Sequence, residues 1–336
     1  MKDFFKGKDI LVTGGCGSIG SEIVRELLDY NVKRIRVFDN DESGQFHLEH
    51  EVKHKGKTRF LMGDIRDKKR LEWAMEGVDI VFHAAALKHV PLCEYNPFEA
   101  VKTNVIGTQN IVEVARDCKV KKVLAISTDK AVNPINTMGA TKLLSEKLIL
   151  SGFIGDSKTR FSCVRFGNVL NSIGSVIPIF KNQIINGGPV TLTSEDMTRF
   201  YMSMQEAVSH VLDSMTVMKG NEIFILKMRA LKIIDLAEVM ISELAPKYGY
   251  TQADVKTKMI GRRHGEKLHE LLLTHEETYY LMESKDMYVL EPGVYTPHYI
   301  VDDKGPKTKI KEYTSKNGDL LTKEEIKELL YNEGII

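Results

Sequence analysis

The sequence has little cysteine and no cysteine–histidine pattern that would hold a metal ion. Its four cysteines, Cys16, Cys93, Cys118 and Cys163, are scattered over 336 residues without the short paired spacings of metal sites. So low a count also excludes the disulfide-rich secreted domains. We therefore expect reduced thiols in a cytoplasmic protein and no metal site.

A large excess of charge of either sign is also missing. The chain has 47 lysines and arginines against 46 aspartates and glutamates, a formal net charge of +1. Nucleic acids and membrane surfaces recruit strongly basic proteins, so neither is an expected partner. No apolar run approaches the roughly 20 residues that span a bilayer. The N-terminus runs into a strand pattern without a signal peptide, so the predicted location is the cytoplasm.

What the sequence does contain is an alternation of apolar runs and amphipathic helices over residues 1–165. Hydrophobic residues make up 43% of the chain, enough for a large core. The alternation predicts an α/β fold of the Rossmann type, a doubly wound parallel sheet covered on both faces. The predicted strands are Asp9–Thr13, Arg34–Asp39, Arg59–Asp64, Val78–Ala84, Lys122–Ser127 and Phe161–Phe166.

The pattern becomes less regular after residue 168, which predicts a second, smaller C-terminal lobe. Residues 1–168 are expected to form a dinucleotide-binding Rossmann domain, to which residues 200–228 return. Residues 169–199 and 229–300 are expected to form the substrate-binding lobe. Residues 301–336 are interpreted as a polar C-terminal tail with a terminal helix.

A glycine-rich loop, TGGCGSIG, follows the first predicted strand and opens a helix. We expect Gly14 to permit a tight turn, Gly17 to let the backbone approach a pyrophosphate, and Gly20 to let the helix pack closely on the sheet. Ser18 and Ile19 would then present the helix N-terminus to the phosphates. A strand, this loop and a helix in succession predict a dinucleotide-binding site.

An acidic residue, Asp39, ends the second predicted strand nineteen residues beyond Gly20. Its carboxylate would accept the ribose hydroxyls of NAD and repel the 2′-phosphate of NADP, which favours NAD as the cofactor. Arg34 and Arg36 lie close in sequence, so NADP stays open as an alternative.

The third and fourth strands end in residues suited to the same cofactor. Asp64 and Ile65 lie where a carboxylate could meet the adenine amino group. Ala84 and Ala85 lie where small side chains would let the cofactor rest against the backbone. Close packing alone is the alternative explanation for the alanines.

The fifth strand ends in STDKA, and NPINTMGATK follows. The chain resembles the extended short-chain dehydrogenases that act as UDP-N-acetylglucosamine 4,6-dehydratases of the polysaccharide-biosynthesis type. Seven segments carry this resemblance: TGGCGSIG, HAAALKHVP, ISTDKAVNPIN, MGATK, RFGNV, MTRF and GEKLHE. Most extended short-chain dehydrogenases place a tyrosine, as base, four residues before a lysine. Lys142 is present here, but Met138 stands at the tyrosine position, and a thioether carries no proton. The chain therefore resembles the subset in which methionine replaces tyrosine.

That resemblance implies NAD-dependent removal of water from UDP-N-acetylglucosamine, by internal hydride transfer from carbon 4 to carbon 6. The product would be a UDP-4-keto-6-deoxy-N-acetylhexosamine for surface-glycan synthesis. The resemblance implies that Lys130, as a neutral amine, removes the carbon 5 proton and that protonated Asp129 donates to the departing hydroxyl. Thr128 would bond the carbon 4 oxygen, and Lys142 would contact the nicotinamide ribose. Such a pair needs pKa values moved toward neutrality by burial and neighbours, and a solvated turn is its alternative explanation.

The resemblance also places a UDP-sugar in the second lobe, next to side chains that suit diphosphate, ribose and hexose groups. These are Asn168, Lys181, Arg199 and Glu266, with Lys88 and His89 facing the sugar. A surface position is the alternative for each charged residue. Relatives often carry an arginine in the loop after RFGNV, where this chain has Asn-Ser-Ile-Gly.

Two other functions stay open. A UDP-sugar 4-epimerase shares the cofactor and substrate class but would need a tyrosine in place of Met138. A non-catalytic dinucleotide-binding regulator would keep the glycine loop without needing Asp129, Lys130 and Lys142 together. The configuration at carbon 5 is also open, and the MGATK segment favours retention over inversion. Relatives assemble through helices of the Rossmann lobe, so a homo-oligomer, dimer or hexamer, is expected.

Overall fold

The six strands predicted from the apolar runs all form, with ends no more than two residues from the predicted positions. The computed structural model describes residues 1–52, 56–153, 158–291, 308 and 310–336. The strands in these residues are β1 (Asp9–Thr13), β2 (Arg34–Asp39), β3 (Thr58–Met62), β4 (Ile80–His83), β5 (Lys122–Thr128), β6 (Arg160–Phe166), β7 (Asn168–Val169), β8 (Val190–Leu192), β9 (Thr198–Met202), β10 (Ile223–Leu226), β11 (Arg229–Lys232), β12 (Thr257–Met259), β13 (Leu271–Leu273), β14 (Leu281–Glu283), β15 (Met287–Leu290) and β16 (Tyr313–Thr314).

The helices in the same residues lie mainly between consecutive strands of the first half of the chain. They are α1 (Lys2–Phe5), α2 (Ser18–Leu28), α3 (Glu42–Glu51), α4 (Lys68–Met75), α5 (Val90–Tyr95), α6 (Pro97–Ala100), α7 (Thr108–Asp117), α8 (Thr137–Ser151), α9 (Val176–Ile185), α10 (Met204–Val217), α11 (Ile233–Leu244) and α12 (Lys323–Asn332). A π-helix at Val101–Gly107 joins α6 to α7, and 3₁₀-helices cover Asp129–Ala131, Ala245–Tyr248 and Glu276–Tyr280.

Nine of the described strands form one sheet in the order β14-β15-β10-β6-β5-β4-β1-β2-β3. The strands from β3 to β10 pair in parallel, and β15 and β14 are antiparallel additions at one edge. Every residue of β1 and β4 is buried, as expected for parallel strands with helices on both faces. The strand order reverses between β1 and β4, which leaves a crevice at their carboxyl ends. The predicted doubly wound, Rossmann-type sheet is confirmed.

Two apolar cores stabilise the fold. The first lies around the large sheet, and in α2 the spacing of Ile23, Val24 and Leu27 buries one side of the helix in it. The second core joins α9, α11 and α12, with Ile326 and Leu330 of α12 fully buried. The division of the chain into domains stays a prediction.

The described part of the predicted C-terminal tail is packed against the rest of the protein. β16 pairs with β13, and α12 begins with the reciprocal capping hydrogen bonds of Thr322 and Glu325. Residues 292–307 and 309, which belong to the predicted lobe and tail, lie outside the described residues. No helix in the described ranges is both long and apolar enough to cross a bilayer. The cytoplasmic location stays a prediction.

Candidate active site

The glycine loop between β1 and α2 leaves no room for side chains at two of its glycines. Gly14 has φ +64°, and a Cβ there would lie 2.6 Å from the Cα of Ala85 at the end of β4. A Cβ on Gly20 would collide with the carbonyl oxygen of Gly14. Gly20 therefore lets α2 approach the loop that follows β1, and its part in packing the helix on the sheet stays a prediction. Gly17 is the N-cap residue of α2 without a side-chain cap in the described part of the chain, which leaves the positive end of the helix available to a phosphate.

The carboxylate of Asp39 is held beside this loop by two backbone donors. The N–H of Cys16 donates to one oxygen at 2.9 Å, and the N–H of Asp41 donates to the other at 3.0 Å. Each carboxylate oxygen accepts more than one hydrogen bond, so both keep capacity for ribose hydroxyls. The loop and its acidic partner are thus brought together as the spacing predicted.

The two arginines that left NADP open are engaged elsewhere. Arg34 begins β2, at the opposite end from Asp39, and its Nε lies 3.6 Å from a carboxylate oxygen of Asp9. Arg36 donates from Nη1 to the carbonyl oxygen of Ala74 at 2.7 Å. Neither guanidinium is therefore placed to neutralise a 2′-phosphate next to Asp39.

Asp64 and Ile65 both make contacts within the protein that the sequence does not indicate. Arg66 donates to Asp64 from Nε at 2.9 and 3.0 Å. Burial alone would raise the pKa of Asp64, but the hydrogen bonds and charge of Arg66 outweigh it and hold that pKa below its usual value. Ile65 is 4% exposed and packs against Gly107 of the π-helix, so its side chain belongs to the core.

Asp129 and Lys130 form a buried ion pair at the carboxyl end of β5. Lys130 Nζ lies 2.9 Å from Asp129 Oδ1, and the hydroxyl of Thr128 donates to the same oxygen at 2.9 Å. The Asp129 side chain is 0% exposed and that of Lys130 is 23% exposed. The second oxygen of Asp129 is buried without a hydrogen-bond partner among the described residues. A solvated turn, the alternative explanation for this pair, is thereby excluded.

The expected downward shift of the Lys130 pKa is wrong. Burial lowers the pKa, but the carboxylates of Asp129 and Glu270 outweigh burial and raise it above the usual lysine value. Lys130 is therefore an ammonium group in this state. The sequence indicates burial, which favours a neutral amine, but it does not show the second carboxylate, 3.6 Å from Lys130 Nζ.

Two glycines shape the surroundings of this ion pair. A Cβ on Gly139, in the first turn of α8, would collide with the carbonyl oxygen of Lys130. A Cβ on Gly167, after β6, would lie 3.2 Å from Asp129 Oδ2 and 2.7 Å from the Cβ of Phe200. The absence of side chains at both positions lets α8 and the β6–β7 turn close on Asp129 and Lys130.

Met138 and Lys142 occupy the two positions of the expected tyrosine–lysine motif in α8. Met138 is 3% exposed and packs with Cys93 and Ala100, so it fills space and carries no proton. Lys142 is 8% exposed and donates from Nζ to the carbonyl oxygen of Ile126 in β5 at 2.7 Å. Burial lowers the pKa of Lys142.

The segment that carries GEKLHE lies beside the buried ion pair, and Arg199 holds it there. The Arg199 guanidinium donates to the carbonyl oxygens of Lys267 at 2.9 Å and Leu268 at 3.1 Å. It also lies 3.7 Å from Glu266 and 3.6 Å from Glu270. Arg199 thus holds this segment in place, and its role in substrate binding stays a prediction.

Of the other predicted substrate residues, Asn168 is near the ion pair and Lys181 contacts the C-terminus. Asn168 Oδ1 lies 3.4 Å from Lys130 Nζ, and the amide is also hydrogen-bonded to the hydroxyl of Tyr201. Lys181 donates from Nζ to the carbonyl oxygen of Ile335 at 3.3 Å. The roles of both residues in substrate binding stay predictions.

The loop that follows β7 crosses from the glycine loop to Lys88 and His89. The N–H of Ile173 donates to the hydroxyl of Ser18 at 3.0 Å. Gly174, with φ +74°, lies against the His89 ring so closely that a Cβ would collide with it. Lys88 and His89 are both exposed in the strand-to-helix turn after β4. The loop without the arginine of relatives therefore contacts the first turn of α2 through the Ser18 side chain.

A buried polar network fixes this turn from below. Asn104 of the π-helix accepts from the N–H of Leu87 at 2.8 Å and donates to its carbonyl oxygen at 3.0 Å. His83, at the end of β4, is hydrogen-bonded to Thr13 at 2.8 Å and to Thr108 at 3.2 Å. Burial, assisted by the charge of Lys142, lowers the pKa of His83 to about 3, so this histidine is neutral.

Several residues of the site were missed at the sequence level, although each lies in or next to a recognised segment. Glu270 ends GEKLHE, Gly139 follows the methionine of MGATK, and Gly167 is the glycine of RFGNV. These positions within the motifs were the available signal. Tyr201 and Asn104 carried none of their own, because their neighbours come from distant parts of the chain.

The Rossmann-type sheet, the glycine loop and the group at the end of β5 define an extended short-chain dehydrogenase that acts on nucleotide sugars, a class with dehydratase and epimerase members. The chain belongs to the family described as polysaccharide biosynthesis protein, whose sequence model matches residues 10–292. The resemblance to the UDP-N-acetylglucosamine 4,6-dehydratases is confirmed.

Similar proteins carry both dehydratase and epimerase names. An uncharacterised membrane protein of Methanocaldococcus jannaschii is 59% identical over 98% of this chain and 97% of its own length. An inverting UDP-N-acetylglucosamine 4,6-dehydratase of Campylobacter jejuni is 42% identical over 86% of this chain and 84% of its own length. A UDP-glucose 4-epimerase of Rickettsia bellii is 39% identical over 98% of this chain and 96% of its own length. The crystal structure of Pen from Bacillus thuringiensis matches with a TM-score of 0.92 and 43% identity over 99% of both chains.

Proposed function

We propose that this protein is an NAD-dependent 4,6-dehydratase, a hydro-lyase, that converts UDP-N-acetylglucosamine to a UDP-4-keto-6-deoxy-N-acetylhexosamine for surface-glycan synthesis. The observation that carries the proposal is the Asp129–Lys130 ion pair with Thr128 at the carboxyl end of β5. Elimination of water needs a base that removes the proton of one carbon and an acid that protonates the hydroxyl leaving the neighbouring carbon. This pair supplies both groups. Met138 at the tyrosine position removes the usual base of an epimerase.

The residues present fit a dinucleotide. Gly14 and Gly20 let the turn between β1 and α2 pack tightly, the N-terminus of α2 follows this turn, and Asp39 lies beside it. Ala84 and Ala85 line the same crevice with small side chains. NAD bound there would supply the acceptor and later the donor of the hydride that moves from carbon 4 to carbon 6.

The side chains of the pair divide the proton transfers of the elimination. Thr128 would bond the carbon 4 oxygen and pass its proton to Asp129, to which the threonine hydroxyl already donates. Asp129, now protonated, would donate to the departing carbon 6 hydroxyl. Lys130 would remove the carbon 5 proton once it has lost its own. Lys142, fixed to the carbonyl oxygen of Ile126, would hold a positive charge near the reacting alcohol.

Incubation with UDP-N-acetylglucosamine and no added reductant tests the assignment. Dehydration gives a product lighter by one water, a 4-epimerase gives an isomer, and a non-catalytic regulator gives neither. An isomeric product would refute the dehydratase proposal and indicate a 4-epimerase, the activity named for the Rickettsia relative. In heavy water, NMR of the fresh product reports the carbon 5 configuration, where we propose retention.

Asp39→Asn is expected to weaken NAD binding by about 10- to 100-fold. An amide has one accepting oxygen, so it cannot serve both the Cys16 N–H and the Asp41 N–H, and it loses charge-assisted bonds to ribose that are worth about 1.5–3 kcal/mol. NADP affinity should fall less, because the repelling charge is gone. Calorimetric titration of both cofactors measures the ratio. Asp41→Asn is the control, because it makes the same charge change two residues away. Equal losses for both cofactors would contradict the role of Asp39 in selectivity.

We also propose a homo-oligomer, dimer or hexamer. α5, α6, the π-helix and α8 pack together and expose large apolar side chains, namely Leu92, Tyr95, Phe98, Ile106 and Leu144. The double variant Phe98→Glu/Leu144→Glu is expected to give monomers by light scattering, while Phe46→Glu on α3, outside this face, keeps the wild-type mass. A monomeric wild-type protein would refute the proposal.

A further inference from the structure

The loop between β7 and α9 touches both walls of the crevice at the glycine loop. The N–H of Ile173 donates to the hydroxyl of Ser18, in the first turn of α2, at 3.0 Å. The next residue, Gly174, lies so close to the His89 ring that a Cβ there would collide with it. His89 lies in the turn after β4 and is the N-cap residue of α5. Because β1 and β4 are neighbours and the crevice lies at their carboxyl ends, two consecutive loop residues bridge it.

Both ends of this loop are fixed, while its tip is exposed. The N–H of Leu170, just before the tip, donates to the carbonyl oxygen of Met202 at 3.0 Å. After the tip, α9 buries Ile177 in the second core. Between these anchors Ile173 is 64% exposed. Residues 171–175, which we call the strap, can therefore lift from the crevice while the elements on either side stay folded.

The two contacts that hold the strap closed are weak. A hydrogen bond at the surface contributes, net of the hydrogen bonds to water that it replaces, a factor of about ten at most in an equilibrium. The bends of the strap fit the closed shape, because Asn171 has φ +53° and Gly174 has φ +74°, a left-handed backbone that both residue types accept. We therefore expect the closed form to exceed the open form by about tenfold.

The proposed reaction needs the dinucleotide to stay in place between its two hydride transfers. The hydride taken from carbon 4 has to return to carbon 6 of the same sugar. If the reduced dinucleotide leaves in between, two electrons leave with it, and the sugar keeps an oxidised carbon 4. A dinucleotide that is held by the glycine loop and reaches Lys142 would lie in the crevice that the strap bridges.

Resting on the proposed function, we propose that the strap is a gate over the dinucleotide crevice and keeps the cofactor bound throughout a turnover. It closes on Ser18 and His89 and opens for the cofactor to enter or leave. Both contacts join protein to protein, so the strap closes in the free and in the loaded protein alike. A gate of this kind slows entry and release by the same factor and leaves the affinity almost unchanged, because it favours neither state.

Gly174→Val tests the gate, because it places a branched side chain against the His89 ring at φ +74° and drives the tip away. Stopped-flow fluorescence of NADH without sugar should show the rate constants of entry and release each raised about tenfold, with Kd changed by less than about threefold. Gly249→Val is the matched control, since its φ of +83° imposes similar backbone strain and nothing lies within 4 Å of the added Cβ. Unchanged rate constants overturn the proposal. A rise in release alone also overturns it, because the strap would then bind the cofactor directly.

Ile173→Pro tests the other contact without adding a side chain next to His89. Proline has no N–H, so the hydrogen bond to Ser18 is lost. Both rate constants should again rise together, and thermal unfolding shows whether each variant is folded. If Gly174→Val does not fold, Ile173→Pro decides alone: a folded Ile173→Pro with wild-type rate constants contradicts the gate.

Escape of the reduced dinucleotide during turnover is measured with pyruvate and lactate dehydrogenase, which re-oxidise it and form lactate. Escape competes with the next step of the reaction, so the lactate formed per dehydrated sugar should rise with the release rate constant, about tenfold in Gly174→Val. Raised rate constants with an unchanged lactate ratio would overturn the role in retention. If wild type releases no dehydrated sugar, the proposed function fails, whereas the rate constants measured without sugar still decide whether the strap is a gate.

Discussion

Lys130→Ala is expected to abolish the dehydrated product while NAD stays bound. The variant removes the amine that lies 2.9 Å from the Asp129 carboxylate at the end of β5, and with it the proposed base for the carbon 5 proton. Loss of a general base lowers kcat by about 10²–10⁴-fold. The loop and Asp39 that would hold the cofactor make no contact with Lys130 in the described hydrogen bonds, so NAD affinity should stay within a few-fold of wild type. Product release is followed by mass spectrometry and cofactor affinity by calorimetry.

The control for that experiment is Lys256→Ala, which removes an exposed lysine just before β12. Lys130→Ala leaves Asp129 and Glu270 without their shared cation, so thermal unfolding is recorded to show that the variant is folded. Turnover at the wild-type rate would remove Lys130 from the mechanism. Loss of NAD binding together with activity would show that the change is structural.

Features that depend on residues close in sequence were predictable. The apolar run of β1 is buried on both faces, and its register with β2 brings Thr13 opposite Phe38, so Asp39 must end next to the glycine loop. The Asp129–Lys130 pair follows from the same rule, since parallel strands present their carboxyl ends to one crevice. A loop, an acid and a strand end could therefore be assigned without coordinates.

The charge state of Lys130 was not predictable, because it depends on a residue that joins the site through tertiary packing. Glu270 lies near Lys130 because Arg199 donates to the carbonyl oxygens of its segment and Ser315 is hydrogen-bonded to its backbone. Nothing in the periodicity of GEKLHE shows which of its two glutamates faces inward. The hydrogen bonds of Arg199 were not predictable for the same reason, since the partners of its guanidinium lie far along the chain.

Arg165→Met is expected to destabilise the protein by about 3–5 kcal/mol at pH 7, because it leaves a buried charge unpaired. Arg165 and Glu146 have side chains 1% and 2% exposed and are joined at 2.8 Å by Nη2 and Oε2. Ser127 donates to the same carboxylate at 2.5 Å, one residue before Thr128. The Arg165–Glu146 pair and Ser127 therefore tie α8 to β5 and β6 next to Thr128, Asp129 and Lys130.

The pH dependence of that loss identifies its cause. Burial on its own raises the pKa of Glu146, but Arg165 outweighs burial and holds that pKa below its usual value. In wild type the Glu146 carboxylate therefore stabilises the fold at pH values above its unfolded pKa. This stabilisation is lost as the pH falls through the folded pKa. In Arg165→Met only the Ser127 hydrogen bond and the charge of Lys142 still oppose burial, and we expect the folded pKa to move above the unfolded one. The destabilisation relative to wild type is then full at neutral pH and shrinks on acidification toward the unfolded pKa. Urea unfolding at pH 7 and pH 5 measures the difference.

The double variant Glu146→Gln/Arg165→Met separates lost charge pairing from lost packing. Removing both charges leaves no buried ion, and neutral replacements of buried pairs are often close to wild type in stability. The double variant should therefore be more stable than Arg165→Met at pH 7, and its stability should depend less on pH. A double variant as unstable as the single one would show that the hydrogen bonds of Arg165 to Leu272 and Glu277, which anchor the segment after β13, carry the stability instead.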